Sequence, residues 1–92
     1  DSKFTPSLNN LGQLALTRRN PREALDYFRR SIEIDPQNLM AHLQMAGIYE
    51  RVFGIPTRAL EHCHEVLRVQ PNHETARDCV TRLTTGRSGN GP

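Results

Sequence analysis

Apolar positions along the chain recur at spacings of three and four, and this single pattern divides it into helices. After Thr5-Pro6 come Leu8, Leu11, Leu14 and Ala15, a stripe that ends near Arg19-Asn20. Asn20, Pro21 and Glu23 then read as an N-cap, a first-turn proline and a first-turn acid, followed by Ala24, Leu25, Phe28 and Ile32 up to Asp35-Pro36. Asn38 is the next cap, ahead of Ala41, Met45, Ile48, Tyr49 and Val52, and Gly54 breaks that stripe. Pro56 opens a fourth helix with Ala59, Leu60, Cys63, Val66 and Leu67 inward, closed by Gln70-Pro71. A fifth spans about residues 73–83, with Ala76, Cys79, Val80 and Leu83 inward and Asp78 and Arg82 paired four apart on its surface. No segment alternates apolar and polar residues over a strand's length, so an all-helical domain is predicted.

The pattern also repeats. ALDYFRRSIEIDPQN, starting at Ala24, is followed 35 residues later by ALEHCHEVLRVQPNH, starting at Ala59. Leu11 and Met45, on the preceding helices, are offset by 34. One residue is therefore inserted between Arg51 and Pro56, and its expected place is the turn between helices, where an extra residue disturbs packing least.

In this register the residues resemble the tetratricopeptide repeat, a helix–turn–helix unit of 34 residues with the pattern W-x2-L-G-x2-Y, A-x3-F and P. One copy carries Leu8, Leu11, Gly12, Ala15, Ala24, Phe28 and Pro36; the other carries His42, Met45, Ala46, Tyr49, Ala59, Cys63 and Pro71. The resemblance implies a short right-handed α-solenoid of antiparallel helix hairpins, five helices in all. Its divisions are a first repeat over 5–38, a second over 39–72, a capping helix over 73–84 and a flexible tail over 85–92. Small residues at Gly12, Ala24, Ala46 and Ala59 fit such a fold by letting helices approach closely. Two copies fall below the three usually needed, so the domain is expected to be marginally stable or to dimerise through its end faces around Phe4, Leu8 and Leu83.

The resemblance implies a function as well: a non-enzymatic scaffold or adaptor that binds a peptide or helix of another protein on its concave face. The positions that map to that face are Asn9, Gln13, Leu16, Met40, Leu43, Glu50, Arg51, Asp78 and Arg82. In co-chaperones of the family, cationic and Asn side chains clamp terminal carboxylates, but the matching slots here read Asn9, Gln13, Gln44, Thr75 and Cys79. Without those charges no binding of EEVD-type tails is expected.

Composition narrows the alternatives. The chain has 92 residues and begins at Asp1, which reads as a piece of a longer protein; no apolar run approaches the roughly 18 residues of a membrane span. Its 12 basic and 10 acidic residues are interleaved, with a net charge of +2, so a helical repeat reading single-stranded RNA is a secondary expectation and no nucleic-acid partner is predicted. Two cysteines, Cys63 and Cys79, allow at most one disulfide; so low a count leans toward a reducing, cytoplasmic setting with both as core residues. The run Glu61-His62-Cys63-His64-Glu65 has metal-ligand chemistry but not metal-ligand spacing, because His62 and His64 stand two apart on a helix and point to opposite sides. It is read as a core Cys flanked by solvated His, with no metal and no cofactor. His42 is read as a packing residue in an aromatic slot. No phosphate loop and no nucleophile–base constellation is present in the sequence.

Overall fold

A computed structural model describes residues 4–90, with side chains for 8–84. The chain forms α1 (Phe4–Thr17), α2 (Pro21–Ile34), α3 (Leu39–Gly47), α4 (Pro56–Val69) and α5 (Glu74–Asn90), and α3 runs on as a π-helix over Ile48–Phe53. Each α-helix packs on the next in chain order, giving the all-α solenoid expected from the pattern, with no strand among the described residues.

The helix boundaries follow the predicted caps. The Asn20 side chain accepts from the Glu23 N–H (3.3 Å), and the Asn38 side chain accepts from the Ala41 N–H (3.1 Å), each satisfying a donor that the first turn leaves free. Pro21 and Pro56 sit at the first helical position, where a missing N–H costs nothing. Asp35 and Gln70, which precede the two predicted terminators, are extended C-caps.

The inserted residue lies elsewhere than expected. Arg19, Asn20 and Pro21 correspond to Gly54, Ile55 and Pro56 at a constant offset of 35, so the two turns have equal length. Arg19 and Gly54 both adopt the left-handed conformation, with φ of 61° and 64°. The extra residue is taken up in the π-helix before Gly54, where the Gly54 N–H reaches back to the Tyr49 carbonyl and the Ile55 N–H meets the same oxygen at 2.8 Å. A left-handed residue, a cap and a proline leave a turn no slack, whereas a wider helical turn absorbs one residue and keeps its hydrogen bonds. The widening also rotates the end of this helix: Val52, expected inward, is 53% exposed, and Phe53 packs against the core instead.

Two clusters form the interior. Ala15, Ala24, Leu25, Phe28, Ala41, Met45 and Ile48 join α1, α2 and α3, while Ala46, Ala59, Cys63 and Cys79 join α3, α4 and α5. At Gly12 a Cβ would stand 2.6 Å from the Phe28 ring, so the absence of a side chain is what admits the phenyl between α1 and α2. Leu11, placed by its spacing in the buried stripe, is 39% exposed, and Leu14 43%. Their counterparts Met45 and Ile48 are 2% and 3% exposed. The difference is positional, since α2 covers α3 but no helix of the described residues precedes α1.

Cys63 and Cys79 form a disulfide that ties α4 to α5, a correction to the expectation of two reduced core cysteines. Both are buried as expected, but the count of cysteines carried no information about their distance. Such bonds persist in oxidising surroundings, so the lean toward a reducing setting loses its basis. α5 continues to Asn90 through residues 85–90, which were expected to be tail; propagating a nucleated helix is far easier than starting one.

Candidate functional site

The sequence-derived face divides in two once the side chains are placed. On its first half, Asn9 is a structural residue. The Ser31 hydroxyl, fully buried in α2, donates to Asn9 Oδ1 (2.8 Å), and the Asn38 amide donates to Ser31 Oγ (2.8 Å). Asn38 also donates to Asn9 Oδ1 (3.4 Å) while its own oxygen caps α3. One polar node thus joins α1, α2 and the start of α3, and Asn9, expected to be exposed, is half-buried within it. A buried hydroxyl needs partners, and Asn9 is within reach. Leu16 packs against the first core cluster, Gln13 is half-buried, and Met40 is exposed.

On the second half, Leu43, Glu50, Arg51, Asp78 and Arg82 come together around one pocket of about 160 Å³ between α3 with its π-helix and α5. Ala46, Gly47, Thr75 and the disulfide pair Cys63 and Cys79 complete its lining. Arg82 is engaged from both sides: Nη2 and Nε meet Glu50 at 2.8 and 3.1 Å, and Nη1 meets Asp78 at 2.9 Å. The hydrogen bond to Glu50, aided by the charges of Glu50 and Asp78, raises the Arg82 pKa above its ordinary value. The expected surface pair of Asp78 and Arg82 is present, and Glu50 extends it across the groove to α3's π-helical extension.

A volume of about 160 Å³ is below the roughly 300–1,000 Å³ of pockets that enclose a small-molecule ligand. It has room for about one side chain. Among the described residues no three His, Cys, Asp or Glu side chains converge as metal ligands. In the Glu61-to-Glu65 run, Cys63 is held in the disulfide and His64 is exposed. His62, expected to be solvated, is half-buried. His42 Nε2–H donates to the Pro36 carbonyl (3.0 Å), which can only accept, so His42 Nδ1 is the acceptor for His62 Nδ1–H (3.0 Å). The Tyr49 ring stacks on His62 at 5.7 Å. Burial, and then His42, push the His62 pKa below 6.5; Glu61 and Glu65 oppose this and Arg58 adds to it.

The Gly12–Phe28 contact lies in the hairpin of α1 and α2, and the polar node ties that hairpin to Asn38 in the loop that follows it. The family model for the tetratricopeptide repeat matches residues 6–38, which span that hairpin and its closing loop. Residues 6–38 are thus similar to a tetratricopeptide repeat. The second hairpin reproduces its helix–turn–helix plan, and the five-helix stack is consistent with tetratricopeptide repeats throughout. Such repeats are generally protein–protein interaction modules and are typically non-enzymatic. No curated protein matches the chain. No helix among the described residues is long and apolar enough to cross a membrane.

Sequence reasoning missed the polar node and the disulfide. The repeat register held a clue to the first: Ser31 aligns with buried Val66 at the offset of 35, so a hydroxyl stands where the other copy has a core side chain. The clue to the second was weaker, two inward cysteines on consecutive helices.

Proposed function

We propose that the chain is a non-enzymatic interaction module whose working surface is the groove between α3 and α5, where it binds a peptide or helix of another protein. The observation that carries this reading is the gathering of Leu43, Glu50, Arg51, Asp78 and Arg82, five residues from three separate stretches of sequence, around one pocket on the face implied by the repeat. The pocket offers an apolar floor with charged rims, the arrangement by which interfaces anchor one side chain and orient its neighbours. Capture from a displayed peptide library on the oxidised protein, repeated on Leu43→Arg, tests it. Leu43 is half-buried at the pocket wall and outside the polar node. Selected peptides should lose binding to the variant while its helical circular dichroism is unchanged. Peptides that bind both proteins equally would place the working surface elsewhere.

Self-association has its own support in the exposed Leu11 and Leu14 on the outer side of α1. Sedimentation over a dilution series, with Leu11→Gln as comparison, tests it: a strict monomer at the highest concentration removes this second reading.

A further inference from the structure

We infer that the groove selects partner segments in which an apolar side chain stands next to a carboxylate, the apolar group entering the pocket and the acid meeting Arg51. The inference rests on the proposed use of the groove and adds the chemistry of the occupant. The two arginines at the pocket differ in what they have left to offer. Arg82 is neutralised by Glu50 and Asp78. Arg51 makes no ion pair or hydrogen bond with any described residue, although it lines the same pocket.

The Arg51 side chain folds back along the helix over Gly47, and a Cβ at Gly47 would stand 2.6 Å from the guanidinium Nη2. Gly47 is thus the seat that brings this cation beside the pocket. A planar guanidinium lying there has donors free for a partner carboxylate. Below it the floor is apolar, made by Ala46 and the Cys63–Cys79 bridge, with Leu43 as a wall.

Charge on the two rims gives the segment a direction. On the α5 side Asp78 and, beyond it, Glu74 stand against the single cation Arg82, whereas on the α3 side Glu50 is paired with Arg82 and leaves Arg51 unpaired, so a partner carboxylate is disfavoured at α5 and attracted to the α3 side. With the apolar residue seated, its acidic neighbour therefore points toward Arg51. A single cation does not reproduce a double-carboxylate clamp, so this selection differs from recognition of EEVD-type tails.

The test is a nuclear magnetic resonance titration of the oxidised, nitrogen-15-labelled protein with N-acetyl-Leu-Glu-amide, N-acetyl-Leu-Gln-amide and N-acetyl-Ala-Glu-amide. The Leu-Glu probe is expected to shift Ala46, Gly47 and the Arg51 Nε–H saturably, to bind about threefold more tightly than Leu-Gln, the size of one solvated ion pair, and to bind more tightly than Ala-Glu through the apolar group it buries. Arg51→Gln should erase the difference between Leu-Glu and Leu-Gln. Arg77→Gln, an exposed change of equal charge away from the pocket, should keep it. Equal binding of Leu-Glu and Leu-Gln to the unaltered protein overturns the inference while leaving the groove in place. Shifts confined to other surfaces, where library-selected peptides still depend on Leu43, overturn it as well.

Discussion

At the centre of the first hairpin the Phe28 ring lies against Gly12; at the same place in the second, Cys63 shares a core with Ala46 and is bonded to Cys79 of the following helix. The first hairpin fills its crossing with a large ring against a residue with no side chain. The second has smaller groups and adds a covalent tie to α5. The same contrast runs through the next layer. Asn9, Ser31 and Asn38 form a hydrogen-bonded node, whereas the aligned residues are Leu43, Val66 and His73. Of these, Val66 is fully buried, and His73 Nδ1 accepts from the Ala76 N–H as the cap of α5. One backbone plan therefore accommodates a polar or an apolar layer, provided that volume is filled and every buried donor is met.

The contrast can be broken most severely at Phe28. Phe28→Ala should cost about 3–5 kcal/mol in chemical denaturation, because the cavity opens against Gly12, which has no side chain to fill it. A loss below about 1 kcal/mol would show that the first hairpin is not anchored by this ring. Replacing both Cys63 and Cys79 by Ala comes next. The bridge closes a separation of 16 residues, and its removal should cost about 3 kcal/mol. Hydrogen exchange should then rise chiefly in α5, with α1 and α2 little changed; uniform acceleration along the chain would contradict the division of labour.

Acid sharpens the same comparison from the second hairpin alone. The His62 pKa is lowered in the fold, so below about 6.5 the unfolded chain binds more protons than the folded one. Stability from this site is fully present above about 6.5 and is lost as pH falls through the depressed folded value. Thermal midpoints of the protein and of His62→Asn should therefore converge on acidification; parallel curves would remove His62 as the cause. The smallest effect concerns the two turns. Arg19 holds a left-handed conformation that its Cβ disfavours, so Arg19→Gly should gain up to about 1 kcal/mol and Gly54→Ala should lose about as much. Equal responses in sign at the two turns would show that they are not equivalent.

The caps at Asn20 and Asn38, the first-turn prolines and the inward stripe of α2 were legible because they depend on neighbours within one turn of helix. Leu43, Glu50, Arg51, Asp78 and Arg82 could be assigned to one face because the repeat register fixes which positions of successive hairpins align. The half-burial of Asn9 was not legible for a related reason. Its place on the helix was correct, but whether it faces solvent depends on Ser31, 22 residues away. The extra residue in the second copy was counted correctly and located wrongly, since only hydrogen bonding distinguishes a longer turn from a π-helix.

By itself, then, the sequence determined the helices, the order in which they alternate, the repeated unit and the positions that share a face, because periodicity and capping are local. Tertiary structure alone decided that Cys63 meets Cys79, that His62 leans on His42, that Arg82 is neutralised while Arg51 is not, and that α1 keeps Leu11 and Leu14 uncovered. Each of these depends on the distance between side chains far apart in the chain, which helical spacing leaves undetermined until the helices pack.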